Sequence, residues 1–220
     1  PRAVIEAVQR TVISSELSDR VDSLPLQAGE GFNAGDVLVR LGCRLYRAER
    51  DKLSIKVAQA ERRQDNRERL EELGSVGQLE VELARLAVDE ARSELKIANL
   101  NVDRCTIRAP FDGHVVSLEA SEFQSVKAQE KLLEIAGDEL EARAIVPASW
   151  LSWLAVDQQA TLQIDEANTI VSGRVKRIGA AVDPVSHTIP VWLSIPADAA
   201  QLRPGMSGSA AFADHPAEAD

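Results

Sequence analysis

The sequence predicts an elongated α+β multidomain chain. A β-sandwich in two halves carries an inserted antiparallel α-helical hairpin and is followed by a small antiparallel β-barrel. Three observations predict it. Two distant stretches share one pattern, a long helical segment with a heptad seam lies between them, and short alternating strands fill the C-terminal third.

The repeat is read by setting residues 21–41, VDSLPLQAGEGFNAGDVLVRL, over residues 115–135, VVSLEASEFQSVKAQEKLLEI, at a constant offset of 94. Val21 meets Val115, Ser23 meets Ser117, Leu24 meets Leu118, Ala34 meets Ala128 and Leu38 meets Leu132. Both stretches run strand, turn, small polar loop, strand. Neither half is large enough to bury a core alone, so the two are expected to pair into one sandwich. Glycines 29, 31 and 35 of the first half become Phe123, Ser125 and Gln129 in the second. The second turn is therefore expected to be built differently. TIRAPFDGHVV, residues 106–116, leads into the second half and reads as a tight hairpin, with Pro110, Asp112 and Gly113 as turn residues.

The insertion is helical. Val81, Ala84, Val88, Ala91, Leu95, Ala98 and Val102 alternate three- and four-residue steps, a heptad seam. Leu79, Leu83, Leu86, Ile97 and Leu100 form a flanking stripe, which gives a face broad enough for more than one partner. From Leu45 to Leu73 the stripe is weaker, with Tyr46, Leu53, Val57 and Ala60, and the charged run 61–72 is a solvated face also suited to side-by-side packing of hairpins. LGSVG at 73–77 is a helix stop and turn. Two helices at about 1.5 Å per residue then make an arm on the order of 40–45 Å long; one continuous helix through the glycine pair is the alternative. Cys43 and Cys105 lie at equal distances from Gly74, so both thiols stand at the hairpin root. A disulfide there and two free buried cysteines both remain open.

From about Leu140, LEARAIV, QATLQID, TIVSGRVKRIG, TIPVWLSI and SGSAAF read as barrel strands. PASWLSWLAV, residues 147–156, reads as a short helical turn plugging one barrel end. Trp150 and Trp153 share a face of it and read first as core residues; the alternative buries one and leaves the other, Trp150, as a docking anchor. The tail 214–220 has a disordered composition.

Composition narrows the function. A net charge of −10 argues against a nucleic-acid surface. No apolar run reaches the ~20 residues that span a bilayer. The chain starts at Pro1, so it reads as the mature or trimmed part of a longer protein, with any signal or anchor outside it. His114, His187 and His215 are scattered without metal spacing, and Met206 is the one methionine. No nucleophile elbow frames a serine, and AGEGFNAGD lacks the glycine order of a phosphate loop. No catalytic residue, cofactor or metal site is expected.

The paired half-motifs around Gly29–Asp36 and Gln124–Leu133, IRAPFDGHVV at the re-entry, VDPVSHTIPV and LRPGMSG together resemble the periplasmic adaptor, or membrane fusion protein, family of the HlyD and AcrA type. The resemblance implies a lipoyl-like β-domain at 11–43 and 104–136, a hairpin at 44–103 and a barrel at 137–213. It implies a non-enzymatic periplasmic scaffold at the inner membrane, linking a transporter of RND or ABC type to an outer-membrane TolC-like channel for efflux or secretion. Self-association into a ring, with six copies as the expected number, goes with it. Many relatives carry Arg, then Leu four residues on, then Ser seven beyond, at the hairpin tip. Those places fall on Asn66, Leu70 and Gly77, with Arg67 and Ser75 adjacent. The expected channel-contact set is Asn66, Arg67, Leu70, Leu73, Ser75 and Gly77. Two rival readings are a structural coiled-coil protein without a channel and a lipoyl- or biotinyl-type carrier. A carrier presents its lysine at the junction of the half-motifs, whereas Lys127 lies inside the second.

Overall fold

A computed structural model describes residues 1–196, 199 and 201–213; the expected tail 214–220, with His215, lies outside the described residues. In chain order the strands are β1 (Arg2–Ala7), β2 (Arg10–Ser14), β3 (Asp19–Ser23), β4 (Gly31–Phe32) and β5 (Val37–Leu41). Helices α1 (Arg44–Glu72) and α2 (Gln78–Asp103) follow, then β6 (Thr106–Arg108), β7 (Gly113–Leu118), β8 (Ser125–Val126) and β9 (Lys131–Gly137). The last strands are β10 (Leu140–Pro147), β11 (Gln159–Ile164), β12 (Thr169–Ile178), β13 (Thr188–Ser194) and β14 (Ser207–Phe212). A 3₁₀ turn covers Ala148–Ser152. The chain divides into two units, Val12–Glu134 and Pro1–Thr11 with the residues from Ile135 onward.

The first unit holds the sandwich and the hairpin. Its sheets run β2-β9-β7-β4 and β6-β5-β3-β8, so each sheet mixes strands from both halves of the repeat. Asp19 pairs with Val126, Phe32 with Gly113 and Val37 with Arg108. The two sheets are equivalent under the offset of 94, and so are individual hydrogen bonds. Gly29 N–H donates to Val115 O at 2.8 Å, and the equivalent Phe123 N–H donates to Val21 O at 2.8 Å. Gly35 N–H donates to Ala109 O, and Gln129 N–H donates to Ser15 O. The side-chain caps match too. Asp36 Oδ2 accepts from Asn33 N–H at 2.8 Å, as Glu130 Oε2 accepts from Lys127 N–H at 2.8 Å. Val21, Phe32, Leu38, Leu41, Val115, Val126, Leu132 and Ile135 are buried, all at apolar positions of the repeat. Burial that neither half achieves alone is what ties them together.

Two sequence expectations are corrected. The second-half turns are not built differently: Phe123 and Gln129 take φ of 66° and 68°, where Gly29 and Gly35 take 89° and 88°. The reciprocal backbone bonds fix that conformation, and they outweigh the cost of a left-handed non-glycine residue. The turn at 109–112 also does not close a hairpin. β6 and β7 belong to different sheets, so the turn is an arch that carries the chain across the sandwich.

α1 and α2 pack antiparallel through the seam. Val81, Val88, Ala91 and Ala98 are buried against α1, where Val57 is the buried residue. The outer stripe of α2 is open, with Leu79 71% exposed and Ile97 62% exposed. Ion pairs cross between the helices at Lys56–Glu94, 2.6 Å, Glu61–Arg92, 2.7 Å, and Arg67–Glu80, 2.9 Å. At the root Cys43 and Cys105 are joined by a disulfide.

The second unit is a closed barrel in the order β1-β10-β13-β12-β11-β14. Its core alternates along each strand, as in Ala160, Leu162 and Ile164 of β11 and Ile189, Val191 and Leu193 of β13. The closing strand, β1, is one that the sequence reading left unassigned. It bonds β10 on one side and β14 on the other, burying Ala3 and Ile5. Gly208 is required where strands crowd: a Cβ there would lie 2.1 Å from Gln163 O.

Candidate docking site at the hairpin turn

The turn between α1 and α2 is closed by backbone geometry. Gly74 takes φ of 67°, its N–H donates to Glu71 O at 2.8 Å, and Ser75 N–H donates to Leu70 O at 2.8 Å. This is the paired bonding of a glycine-terminated helix, and it satisfies the last carbonyls of α1. Arg69 lies in the last turn of α1 and Glu80 in the first turn of α2, each of the sign that the helix dipole favours. The tip is thus a well-terminated, preorganised surface.

The six expected contact residues sort by exposure. Asn66, Leu73, Ser75 and Gly77 are exposed, Leu73 at 77%, while Leu70 is half-buried between the helices. Arg67 does not stand free: its Nη1 donates to Glu80 Oε2 at 2.9 Å and braces the two helices. Beside it an open groove is lined by Ala60, Ala84, Ala87, Leu83, Arg63 and Asn66 together with the Arg67–Glu80 pair. Further down the arm, Glu94 accepts a hydrogen bond from Lys56 and raises the ammonium pKa above its ordinary value.

In the barrel, Trp150 and Trp153 do not divide into one buried and one exposed ring. Both are half-buried, their centroids 5.0 Å apart, and both stand edge-on to Phe212, at 5.5 Å and 6.4 Å. Phe212, at the end of β14, draws both rings onto the core, a contact that i, i+3 spacing does not reveal. The exposed apolar groups of this segment are instead Leu151 and Val156, 46% and 54% exposed. On the outer wall, the carboxylate of the buried Glu141 takes both arms of Arg177, at 2.6 Å and 2.9 Å, and the guanidinium lies 4.4 Å from the Trp192 ring centre. Among the described residues no three His, Cys, Asp or Glu side chains gather as a metal site, and no helix is long and apolar enough to cross a membrane.

Residues 142–216 match the CusB-like β-barrel domain family. The chain is 28% identical over 216 residues to nodulation protein NolF of Rhizobium meliloti, covering 90% of this chain and 59% of NolF. It therefore spans less than two thirds of that relative's length. Among solved structures, it is similar to the membrane fusion protein Spr0693 from Streptococcus pneumoniae, with a TM-score of 0.81 and 18% identity, covering 96% of this chain and 97% of that one. It is also similar to a MacA–MexA chimera containing the Pseudomonas aeruginosa MexA α-hairpin domain, with a TM-score of 0.84 and 18% identity, covering 96% of this chain and 76% of that one. Residues 142–216 thus carry a CusB-like β-barrel domain, and the chain as a whole, a split sandwich with an inserted hairpin followed by a barrel, shares its fold with the membrane fusion protein and the MacA–MexA chimera it is similar to.

Proposed function

We propose that this chain is a periplasmic adaptor subunit joining an inner-membrane transporter to an outer-membrane channel for efflux or secretion. The observation that carries the reading is the helical arm, inserted into a sandwich and ending in a well-terminated, exposed tip. In this reading the protein performs no chemistry; it sets a distance and presents surfaces. The three segments, 11–43 with 104–136, 44–103 and 137–213, serve as base, arm and dock.

The tip, with Asn66, Arg67, Leu70, Leu73, Ser75 and Gly77, meets a TolC-like channel. Arg67 acts by bracing the helices, and Leu73 is the apolar group offered outward. The barrel docks a transporter of RND or ABC type. Trp150 contributes through its exposed edge and Leu151 beside it. Copies stand side by side in a ring, six by expectation, through the outer stripe of α2, where Leu79, Leu83, Leu86, Ile97 and Leu100 are more than half exposed. A disulfide fits the oxidising periplasm.

Deleting residues 66–78 and closing the helices with a short glycine turn tests the tip. Transport of the cognate cargo should be lost while the sandwich and barrel stay folded by amide exchange. Transport that survives the deletion removes the tip from the mechanism.

A further inference from the structure

The two ends of the hairpin are made to different standards. At the tip α1 ends in a closed glycine turn and α2 starts with Glu80 in its first turn, even though Glu71 and Glu72 stand at the negative end of α1. At the root neither helix end has such a closure. Cys43, the residue before α1, sits at φ 51° and makes no side-chain cap. The first turn of α1 has no acidic residue and instead carries Arg44 and Arg47, cations at the positive end of the dipole. α2 has no basic residue in its last turn and ends at Asp103, an anion at the negative end. Both terminal turns are exposed to water at Arg44, Leu45 and Asp103. Helix ends of this make fray on their own.

Two polar pairs and a covalent bond are among the contacts that hold them. Asp19 Oδ2 accepts from Cys43 N–H at 3.0 Å, Glu16 pairs with Arg104 at 2.8 Å, and the disulfide joins Cys43 to Cys105. The first two tie single residues to the β-domain; across the root, Leu41 N–H donates to Cys105 O at 2.8 Å, and the disulfide is the covalent tie between one helix end and the other. The strands feed the helices through only two residues on each side, Gly42–Cys43 and Arg104–Cys105, so whatever fixes these residues fixes the arm's direction.

We infer that the Cys43–Cys105 disulfide is a redox latch on the root of the arm. Closed, it holds the last turn of α2 and the first turn of α1 together and makes the joint rigid. A dithiol supplies two electrons and two protons, the Sγ–Sγ bond breaks to two thiols, and the dithiol closes its own disulfide. The unlatched turns then fray, and the joint becomes a hinge. Cys43 and Cys105 are 0% and 1% exposed, so the attacking thiolate reaches sulfur only when the root turns open. Opening and reduction are thereby coupled. The inference does not depend on what the tip binds.

Hydrogen exchange of the full chain, read by mass spectrometry, tests it in the oxidised protein, after reduction with dithiothreitol, and in C43S/C105S. Exchange in residues 44–50 and 98–103 should rise about tenfold in both altered forms, while residues 66–78 and the barrel stay unchanged. Unchanged exchange at the root, or an equal rise throughout residues 12–134, overturns the latch. In a second arm, R44E/D103K places favourable charges at both root ends and should slow reduction by dithiothreitol about fivefold. A reduction rate equal to that of the unaltered protein overturns the coupling.

Discussion

Gly35 and Gln129 occupy equivalent turns with φ of 88° and 68°, and a Cβ at Gly35 would meet nothing within 4 Å. Exchanging residue types there isolates backbone strain. G35A should destabilise the sandwich by about 1 kcal/mol and Q129G should stabilise it by about as much, read from urea unfolding. The sequence alone pointed to dissimilar turns because it showed the missing glycines and not the backbone bonds to Ser15 and Val21 that force the same conformation. A residue-scale pH effect sits at Asp183, whose carboxylate accepts from Val185 and Ser186 N–H at 2.9 Å each. These bonds hold its pKa below the ordinary 3.8. A depressed acid stabilises the fold above its unfolded value and loses that contribution as pH falls through the folded one. The 183–188 turn should therefore keep its amide protection from neutral pH down to about pH 4 and lose it below. Loss at pH 6 would contradict the assignment.

At the scale of elements, α2 has two faces with different work. Val88, 1% exposed, fills the seam, whereas Leu86 is 54% exposed on the outer stripe. V88A should lower hairpin stability by about 2 kcal/mol, and L86S should change it by less than about 0.5 kcal/mol. Thermal melts followed by helix signal distinguish the two. The heptad steps made the seam legible before any coordinates, and LGSVG marked the reversal. β1 was not legible: six residues whose inward positions are mostly alanine carry little strand signal, and its role depends on two distant partners. The arch at 109–112 was misread for a related reason. Turn residues announce a reversal without stating which sheet the chain enters next.

For the whole molecule, the repeat at an offset of 94 was the most informative reading of the sequence, because a shared pattern reports a shared environment. The barrel's strands from Leu140 onward were legible by alternation, but its closure was not, since that depends on the first residues of the chain. The candidate site was legible only as a place. Exposure at the tip follows from the turn, whereas the bracing of Arg67 by Glu80 needs the register of two helices. The central claim is that residues 12–43 and 104–134 fold as one body from which the hairpin projects. Cys43 and Cys105 have Cα atoms 6.0 Å apart, a gap that two glycines span. The direct test replaces residues 44–104 with Gly-Gly, changes both cysteines to serine, and measures amide exchange at Val21, Gly29, Val115 and Phe123. The account predicts that all four amides stay protected; free exchange at these positions would show that the halves do not form a single body without the arm.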